Sequence, residues 1–243
     1  MIHDHSLTTD TFFNGRIRVK QNRSGYRFSI DAVLLAGHVN PRPGDTILDL
    51  GTGCGIIPLM LAQRNPKIKV YGIEVQEELA KIAAVNVKEN RREDQIIILC
   101  QDMKALKYNM ISGPADLVVS NPPYRKADSG RINPEKQRAI ARHEIKATLY
   151  DVIETANRML HVAGRFVSIY PAERMTDILA QMRISSIEPK FLRMIHSGWN
   201  TEAKLILVEG VKGGRAGIKI GPPLIIYSKD GSYTDEVKEL CGF

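Results

Sequence analysis

The segment Asp49-Leu50-Gly51-Thr52-Gly53-Cys54-Gly55 limits the folds open to this chain more than any other feature. It joins a run with strand character, Thr46 to Leu50, to a helical pattern, Ile56 to Arg64, with three glycines in five positions between them. Glycine takes positive φ without steric cost, and having no Cβ it lets another group come close to the backbone. A strand turned this tightly into a helix is the first half of a βαβ unit. The second half follows, with Ile68 to Glu74 as a strand and Gln76 to Asn90 as a helix. In that helix Leu79, Ile82, Ala83 and Val87 share one face, while Lys81, Lys88 and Glu89 point elsewhere. Gln95 to Leu99, Asp116 to Ser120 and Arg165 to Ile169 are further Val/Ile-rich runs without alternation, the pattern of strands covered on both faces. The expected fold class is α/β, a mostly parallel sheet between two layers of helices.

The flanks read differently. Asn14-Gly15, set between Thr11-Phe12-Phe13 and Arg16-Ile17-Arg18-Val19, predicts a small hairpin, because Asn-Gly accepts the positive φ angles of a tight turn. Ser29 precedes Ile30 to Ala36, apolar nearly all round, which predicts a buried helix capped by the Ser29 hydroxyl and ended by Pro41. Beyond the fifth strand a helix is expected near Glu173 to Arg183, then an antiparallel pair, Lys190 to His196 and Ala203 to Val211. The tail from Leu224 to Phe243 has no assignment. No repeat or linker interrupts the chain, so residues 1–243 are expected to form one domain, with 1–40 as a hairpin-and-helix extension and 41–243 as the core.

Composition closes off several classes. With 43% hydrophobic and 25% charged residues the chain has enough apolar surface for a core. Its longest apolar runs, such as Ile96 to Cys100 and Leu205 to Val208, fall far short of the roughly 20 residues that cross a bilayer. The start, Met1-Ile2-His3-Asp4-His5, resembles no secretory leader, so a cytoplasmic enzyme without membrane contact is expected. Cys54, Cys100 and Cys241 show no CxxC spacing, which argues against a disulfide framework or zinc cage, and no metal is expected. The net charge of +7 favours a polyanionic partner. Three basic groups are candidates to meet one. The first holds Arg125, Lys126, Arg131, Lys136, Arg138, Arg142 and Lys146; the second Arg16, Arg18, Lys20, Arg23 and Arg27; the third Lys212, Arg215 and Lys219. Solvated surface charge is the competing explanation for each.

The glycine spacing is GxGxG. A dinucleotide fingerprint needs a glycine or alanine where Ile56 stands, and a Walker loop needs Gly-Lys-Ser/Thr, so neither NAD nor a nucleoside triphosphate fits. What remains is a turn that exposes backbone beside helix N–H groups suited to a carboxylate. S-adenosylmethionine carries one. Glu74, at the end of the second strand, stands where an acid accepts hydrogen bonds from both ribose hydroxyls, and Asp102, after the third, could accept from an adenine amine. A solvated strand-end cap is the other reading of either acid. For Asp49, holding the turn through backbone N–H groups and direct ligand contact are equally open.

The fourth strand, Asp116 to Ser120, runs straight into Asn121-Pro122-Pro123-Tyr124. DLGTGCG followed by NPPY resembles class I S-adenosylmethionine-dependent methyltransferases that modify planar nitrogens. That resemblance covers most of the chain and implies a seven-stranded sheet in the order 3-2-1-4-5-7-6. Gly25 to Ala36, Ala141-Arg142-His143-Glu144 and Pro223-Leu224-Ile225-Ile226-Tyr227 are similar, more narrowly, to bacterial tRNA adenine-N6 methyltransferases acting beside the anticodon of a valine tRNA. The resemblance implies tRNA as partner. By the same fold logic Phe28, Ser29 and Asp31 border the methionine end of the cofactor, with helix capping and packing as their alternative.

The chemistry accounts for the residue types. An exocyclic adenine amine is a poor nucleophile because its lone pair is delocalised, so attack requires acceptors that favour tetrahedral nitrogen. The Asn121 side-chain oxygen and the Pro122 carbonyl suit the two amine hydrogens, with Pro122 and Pro123 stiffening the loop and Tyr124 offering a face to the base. Arg125, Lys126 and Arg142 are candidates for the nucleic-acid backbone. His143 reads as structural. An N5-glutamine methyltransferase acting on a protein such as a release factor uses the same tetrapeptide, but usually carries a helical N-terminal domain, for which the 45 or so residues before the glycine turn leave little room.

Overall fold

The computed structural model describes residues 7–23, 28–122 and 148–242. The hairpin is β1 (Leu7–Phe12) and β2 (Ile17–Asn22), paired antiparallel around a turn in which Phe13, Asn14 and Gly15 all have positive φ. Next come α1 (Ile30–His38), β3 (Thr46–Leu50), α2 (Ile56–Arg64), β4 (Lys69–Glu74), α3 (Glu77–Glu89), β5 (Ile96–Cys100) and β6 (Ala115–Ser120). After residue 147 follow α4 (Leu149–Met159), β7 (Leu160–Pro171), α5 (Met175–Ile184), β8 (Ile187–His196), β9 (Ala203–Lys212), β10 (Lys219–Ile220), β11 (Leu224–Ile225) and α6 (Asp235–Cys241).

The main sheet runs β5-β4-β3-β6-β7-β9-β8, with β10 and β11 both parallel to β8. Among its described strands β9 alone is antiparallel to its neighbours. Numbered within the sheet, the first seven read 3-2-1-4-5-7-6. The sheet has nine strands rather than the expected seven, because the chain after β9 adds β10 and β11. Pro222 and Pro223 lie between them, and proline has no N–H to donate, so what would be one edge strand is split into two pieces too short to carry a readable period.

Alternate residues of the central strands feed two cores. Ile47, Val70, Leu117, Val119, Val167 and Leu207 pack toward α1, α2, α3 and α6. Leu48, Tyr71, Val118, Phe166, Ile206 and Val208 pack toward α4 and α5. The strands are therefore apolar on both faces, as their composition predicts. β5 departs from that expectation: as the sheet edge it is fully buried only at Ile96. Helix α4 was not foreseen, although Thr148 and Asp151 form a reciprocal capping box at its start and Val152, Ile153, Ala156 and Met159 give it a buried face.

One expectation for α1 needs correction. Its apolar residues 32–37 are buried as read, but the Ser29 side chain makes no capping bond, because its hydroxyl turns to the first-turn carboxylate of Asp31. The helix stops at His38 with its C-cap at Val39, so Pro41 stands two residues beyond, where a proline stop signal belongs. There the Arg64 guanidinium donates to the carbonyls of Ala36, Gly37 and Val39 at 2.8, 2.7 and 2.9 Å, satisfying the orphan acceptors of the helix end. The tail closes over this helix. A Cβ on Gly37 would lie 2.4 Å from the Leu240 carbonyl oxygen, and the Phe13 N–H donates to the Gly242 carbonyl at 2.9 Å.

Candidate active site

The chain leaves β3 toward β4 on one side and later places β6 on the other, so the ends of β3 and β6 bound a crevice at the carboxyl edge of the sheet. Open α/β sheets bind ligands at such a reversal. The glycine turn forms one wall. Gly51, Gly53 and Gly55 have φ of +81°, +57° and +85°, a conformation that disfavours any side chain. Gly55 caps α2, and a Cβ there would sit 3.3 Å from that of Ala83, so its absence serves helix packing. A Cβ on Gly51 would meet nothing within 4 Å, so its absence leaves free space beside the turn.

Hydrogen bonds hold the turn from three sides. The N–H groups of Gly51 and Thr52 donate to the Ile73 carbonyl at 2.9 and 3.0 Å. Glu74, buried at the end of β4, accepts from the Gly53 N–H at 3.0 Å through one carboxylate oxygen and from the Gln76 N–H at 2.9 Å through the other. Asn86 on α3, also buried, donates to the carbonyls of Cys54 and Lys20, both at 2.8 Å, and accepts from the Lys20 N–H at 2.8 Å. The turn and the N-terminal hairpin are thereby tied to one side chain.

Asp49 does not hold the turn; Glu74 does. Both Asp49 carboxylate oxygens are buried without a hydrogen-bond partner, as is the Thr52 hydroxyl. Burial pushes the Asp49 carboxyl up to about 7, with the nearby Thr52 hydroxyl opposing the shift and the Glu74 charge adding to it. Direct contact with a ligand would need the covering atoms to move, since Asp49 has no exposed surface. A positive charge above the turn would still reverse the shift through the low-dielectric interior.

The opposite wall is sewn by serines. The Ser120 hydroxyl donates to the Leu50 carbonyl at 2.8 Å, and the Ser168 hydroxyl donates to the Ser120 carbonyl at 2.8 Å. The ends of β3, β6 and β7 are locked in step, so Gly51 and Asn121, the first residues beyond β3 and β6, spring from adjacent strand ends about 4.8 Å apart. Asn121 is half-buried and Pro122 buried. Pro123, Tyr124, Arg125, Lys126 and Arg142 lie outside the described residues, as do Gly25 to Arg27 and His143.

The remaining predicted positions fall at different distances from this crevice. Phe28 and Ser29 open α1; the Phe28 ring lies 5.8 Å from Phe12, and its N–H donates to Gln21 at 3.2 Å. Gln21 in turn donates to Asp10. Asp102 follows β5 and accepts from the Lys104 N–H at 2.9 Å, so it does cap a short turn, while its second oxygen faces the Lys104 ammonium at 3.8 Å. In the second basic group Lys20 is paired with Glu89 at 2.7 Å, whereas Arg16 and Arg23 are exposed. The third group is displaced from the crevice. Lys212 ends β9, and an antiparallel strand ends at the amino edge; there its ammonium donates to the carbonyls of Asn157 and Leu160 at 2.6 and 2.8 Å. Asn86, Ser120 and Ser168 escaped sequence reasoning. The one signal available was a polar residue, Asn86, on the otherwise apolar face of α3.

A sheet in this order, parallel except for one strand near the edge, defines the Rossmann-like methyltransferase class. The crystal structure of a predicted O-methyltransferase from Agrobacterium tumefaciens shares the fold at a TM-score of 0.69 and 24% identity, covering 87% of this chain and 95% of that one. The model of the methyltransferase small domain matches residues 24–191, and the chain belongs to that family. It is similar over most of its length to two curated proteins named tRNA1(Val) (adenine(37)-N6)-methyltransferase. That of Porphyromonas gingivalis is 33% identical, with 96% of this chain and 94% of the relative covered. That of Pedobacter heparinus is 31% identical, with 93% of each covered.

Proposed function

We propose that this protein transfers a methyl group from S-adenosylmethionine to N6 of an adenine in tRNA, beside the anticodon. The observation that carries the reading is the emergence of Asn121-Pro122 from β6 next to the glycine turn, with the two strand ends pinned by Ser120. The names of the similar curated proteins support adenine N6 of a valine tRNA as the acceptor.

The residues present suit the cofactor. Gly51 leaves space beside exposed backbone, and the unpartnered Asp49 carboxylate lies beneath the turn as counter-charge to a cationic ligand. Glu74 has a second lone pair on each oxygen for the ribose hydroxyls, Asp102 has its second oxygen for the adenine amine, and Phe28 and Ser29 border the methionine end. Bound there, S-adenosylmethionine supplies a methyl carbon made electrophilic by its sulfonium.

The acceptor is handled by the other wall. The Asn121 side-chain oxygen and the Pro122 carbonyl take the two amine hydrogens and turn the nitrogen lone pair toward the crevice. Pro122 and Pro123 hold those oxygens in place, Tyr124 stacks on the base, and Arg125, Lys126 and Arg142 meet phosphates. The proton leaves after transfer, from a nitrogen acidified by its new substituent, so no strong base is required. The same reading treats residues 1–243 as one domain in the cytoplasm, with residues 1–40 bracing the cofactor wall through Asn86. Among the described residues no helix is long and apolar enough to cross a membrane.

The test is incubation with tritiated methyl donor and separate pools of tRNA, rRNA, DNA and protein, followed by digestion of the labelled pool. N6-methyladenosine from tRNA is expected. Label recovered on a glutamine of a protein would overturn the substrate assignment and leave the methyltransferase class standing.

A further inference from the structure

The β8–β9 connection stands on the same sheet edge as Asn121 and displays the only tryptophan of the chain. Trp199 is 68% exposed, although tryptophan normally buries about 150–250 Å². Its turn is closely bonded. The Gly198 N–H donates to the Thr201 hydroxyl oxygen at 3.0 Å, the Thr201 hydroxyl and N–H reach the Gly198 carbonyl at 2.9 and 3.2 Å, and the Thr201 carbonyl lies 2.7 Å from the His196 ring. These bonds fix the backbone of the turn, and the indole carried on it is exposed.

Two tyrosines lie on the segment bonded to this turn. The Tyr227 N–H donates to the Ser197 carbonyl at 2.9 Å, which brings the tail alongside the turn. The Tyr227 ring, 40% exposed, stacks on Tyr233 with centroids 5.3 Å apart and planes 17° from parallel. Between β8 and β6 lie β7 and β9, so three strand spacings, about 14 Å, separate this aromatic group from Asn121 along one edge. The exposed charges here balance, Lys204 and Lys229 against Glu202 and Asp230, so the patch is no phosphate cradle. It offers π-faces, which every nucleobase can stack on. Its place on the reaction edge of a chain with net charge +7 favours RNA bases over a protein partner.

We infer that Trp199 and the Tyr227–Tyr233 stack form a platform for unpaired nucleotides flanking the target base. The inference rests on the nucleic-acid reading of the crevice. Because stacking is insensitive to salt, the platform adds affinity without adding to the salt slope that phosphate contacts produce.

Trp199 reports on itself. Titrating the wild-type protein with a single-stranded, adenine-containing oligoribonucleotide, without cofactor, should quench its emission saturably, and the same sequence as a duplex should not. By anisotropy of a labelled oligonucleotide, Trp199→Ala and Tyr227→Ala should each bind about tenfold more weakly at an unchanged slope of log K against log salt. Trp199→Phe should recover most of the loss, which a merely structural role in the turn would not predict for an exposed ring. Oligonucleotide binding without quenching, or an emission shift driven by protein concentration alone, as a second copy on the patch would give, overturns the platform. The two readings fail separately: quenching without methylated adenine would sink the site assignment, and methylated adenine without quenching would sink the platform.

Discussion

The two walls of the crevice are built by different means. The cofactor wall, between β3 and β5, uses short connections, five residues from β3 to α2 and two from β4 to α3, held by backbone bonds, the Glu74 carboxylate and the Asn86 amide. The acceptor wall, from β6 to β8, draws its parts from distant stretches of chain and fixes them with side-chain hydroxyls, Ser120 to Leu50 and Ser168 to Ser120. A small cofactor of constant shape suits a rigid, locally encoded pocket. A base brought in on a polymer needs a wall that sets one nitrogen and leaves the rest of the edge open.

Asn121→Ala should strike the acceptor wall alone. A donor or acceptor aimed at a developing transition state is worth about 10²–10³ in kcat, and cofactor affinity by equilibrium dialysis should stay within about twofold. Equal losses of both would place Asn121 on the cofactor side and break the division.

Asp49 sharpens the cofactor wall through pH. Its carboxyl is raised to about 7 in the folded protein against 3.8 for the free group, so the folded state holds a proton that the unfolded state has lost between those values. The stability contributed by neutral Asp49 is therefore full below about pH 4 and is lost as pH rises toward 7, a change on the order of 4 kcal/mol. Urea titrations of the cofactor-free protein should show this fall, and Asp49→Asn should flatten it. Cofactor affinity should run the opposite way, rising up to about tenfold per pH unit below 7, because a cation favours the ionised form.

Asn86→Ala removes three bonds around a buried amide and leaves the Cys54 carbonyl and Lys20 N–H without partners. A loss of about 2–3 kcal/mol is expected in urea unfolding, with weaker cofactor binding. Ser120→Ala should cost least, about 1 kcal/mol, and its effect should appear in kcat rather than cofactor affinity, since it loosens only the registry between Leu50 and Asn121. A stability loss there as large as that of Asn86→Ala would mean the hydroxyl latch braces both walls.

The cofactor wall was the more legible. The positive φ of Gly51, Gly53 and Gly55 and the place of Glu74 at the end of β4 follow from residue type and spacing, because these are local requirements. The division of labour between Glu74 and Asp49 was not legible: which carboxylate reaches the Gly53 N–H depends on β4 lying beside β3. Asn86 was hidden for the same reason, since a lone amide on an apolar face acquires its meaning from Lys20, 66 residues away. The third basic group read as a surface for a polyanion, but an antiparallel β9 carries Lys212 to the far edge of the sheet.

By itself the chain determined the strands and helices of the core from β3 to β6, and where it must turn on glycine or stiffen on proline, because these follow from backbone sterics and apolar period within a few residues. Tertiary structure alone decided what those segments meet: Arg64 satisfying the last carbonyls of α1, residues after β9 supplying two edge strands, Tyr227 bonding to the turn that carries Trp199. Such pairings join residues far apart in sequence, and their free energy depends on a sheet order that no local pattern encodes.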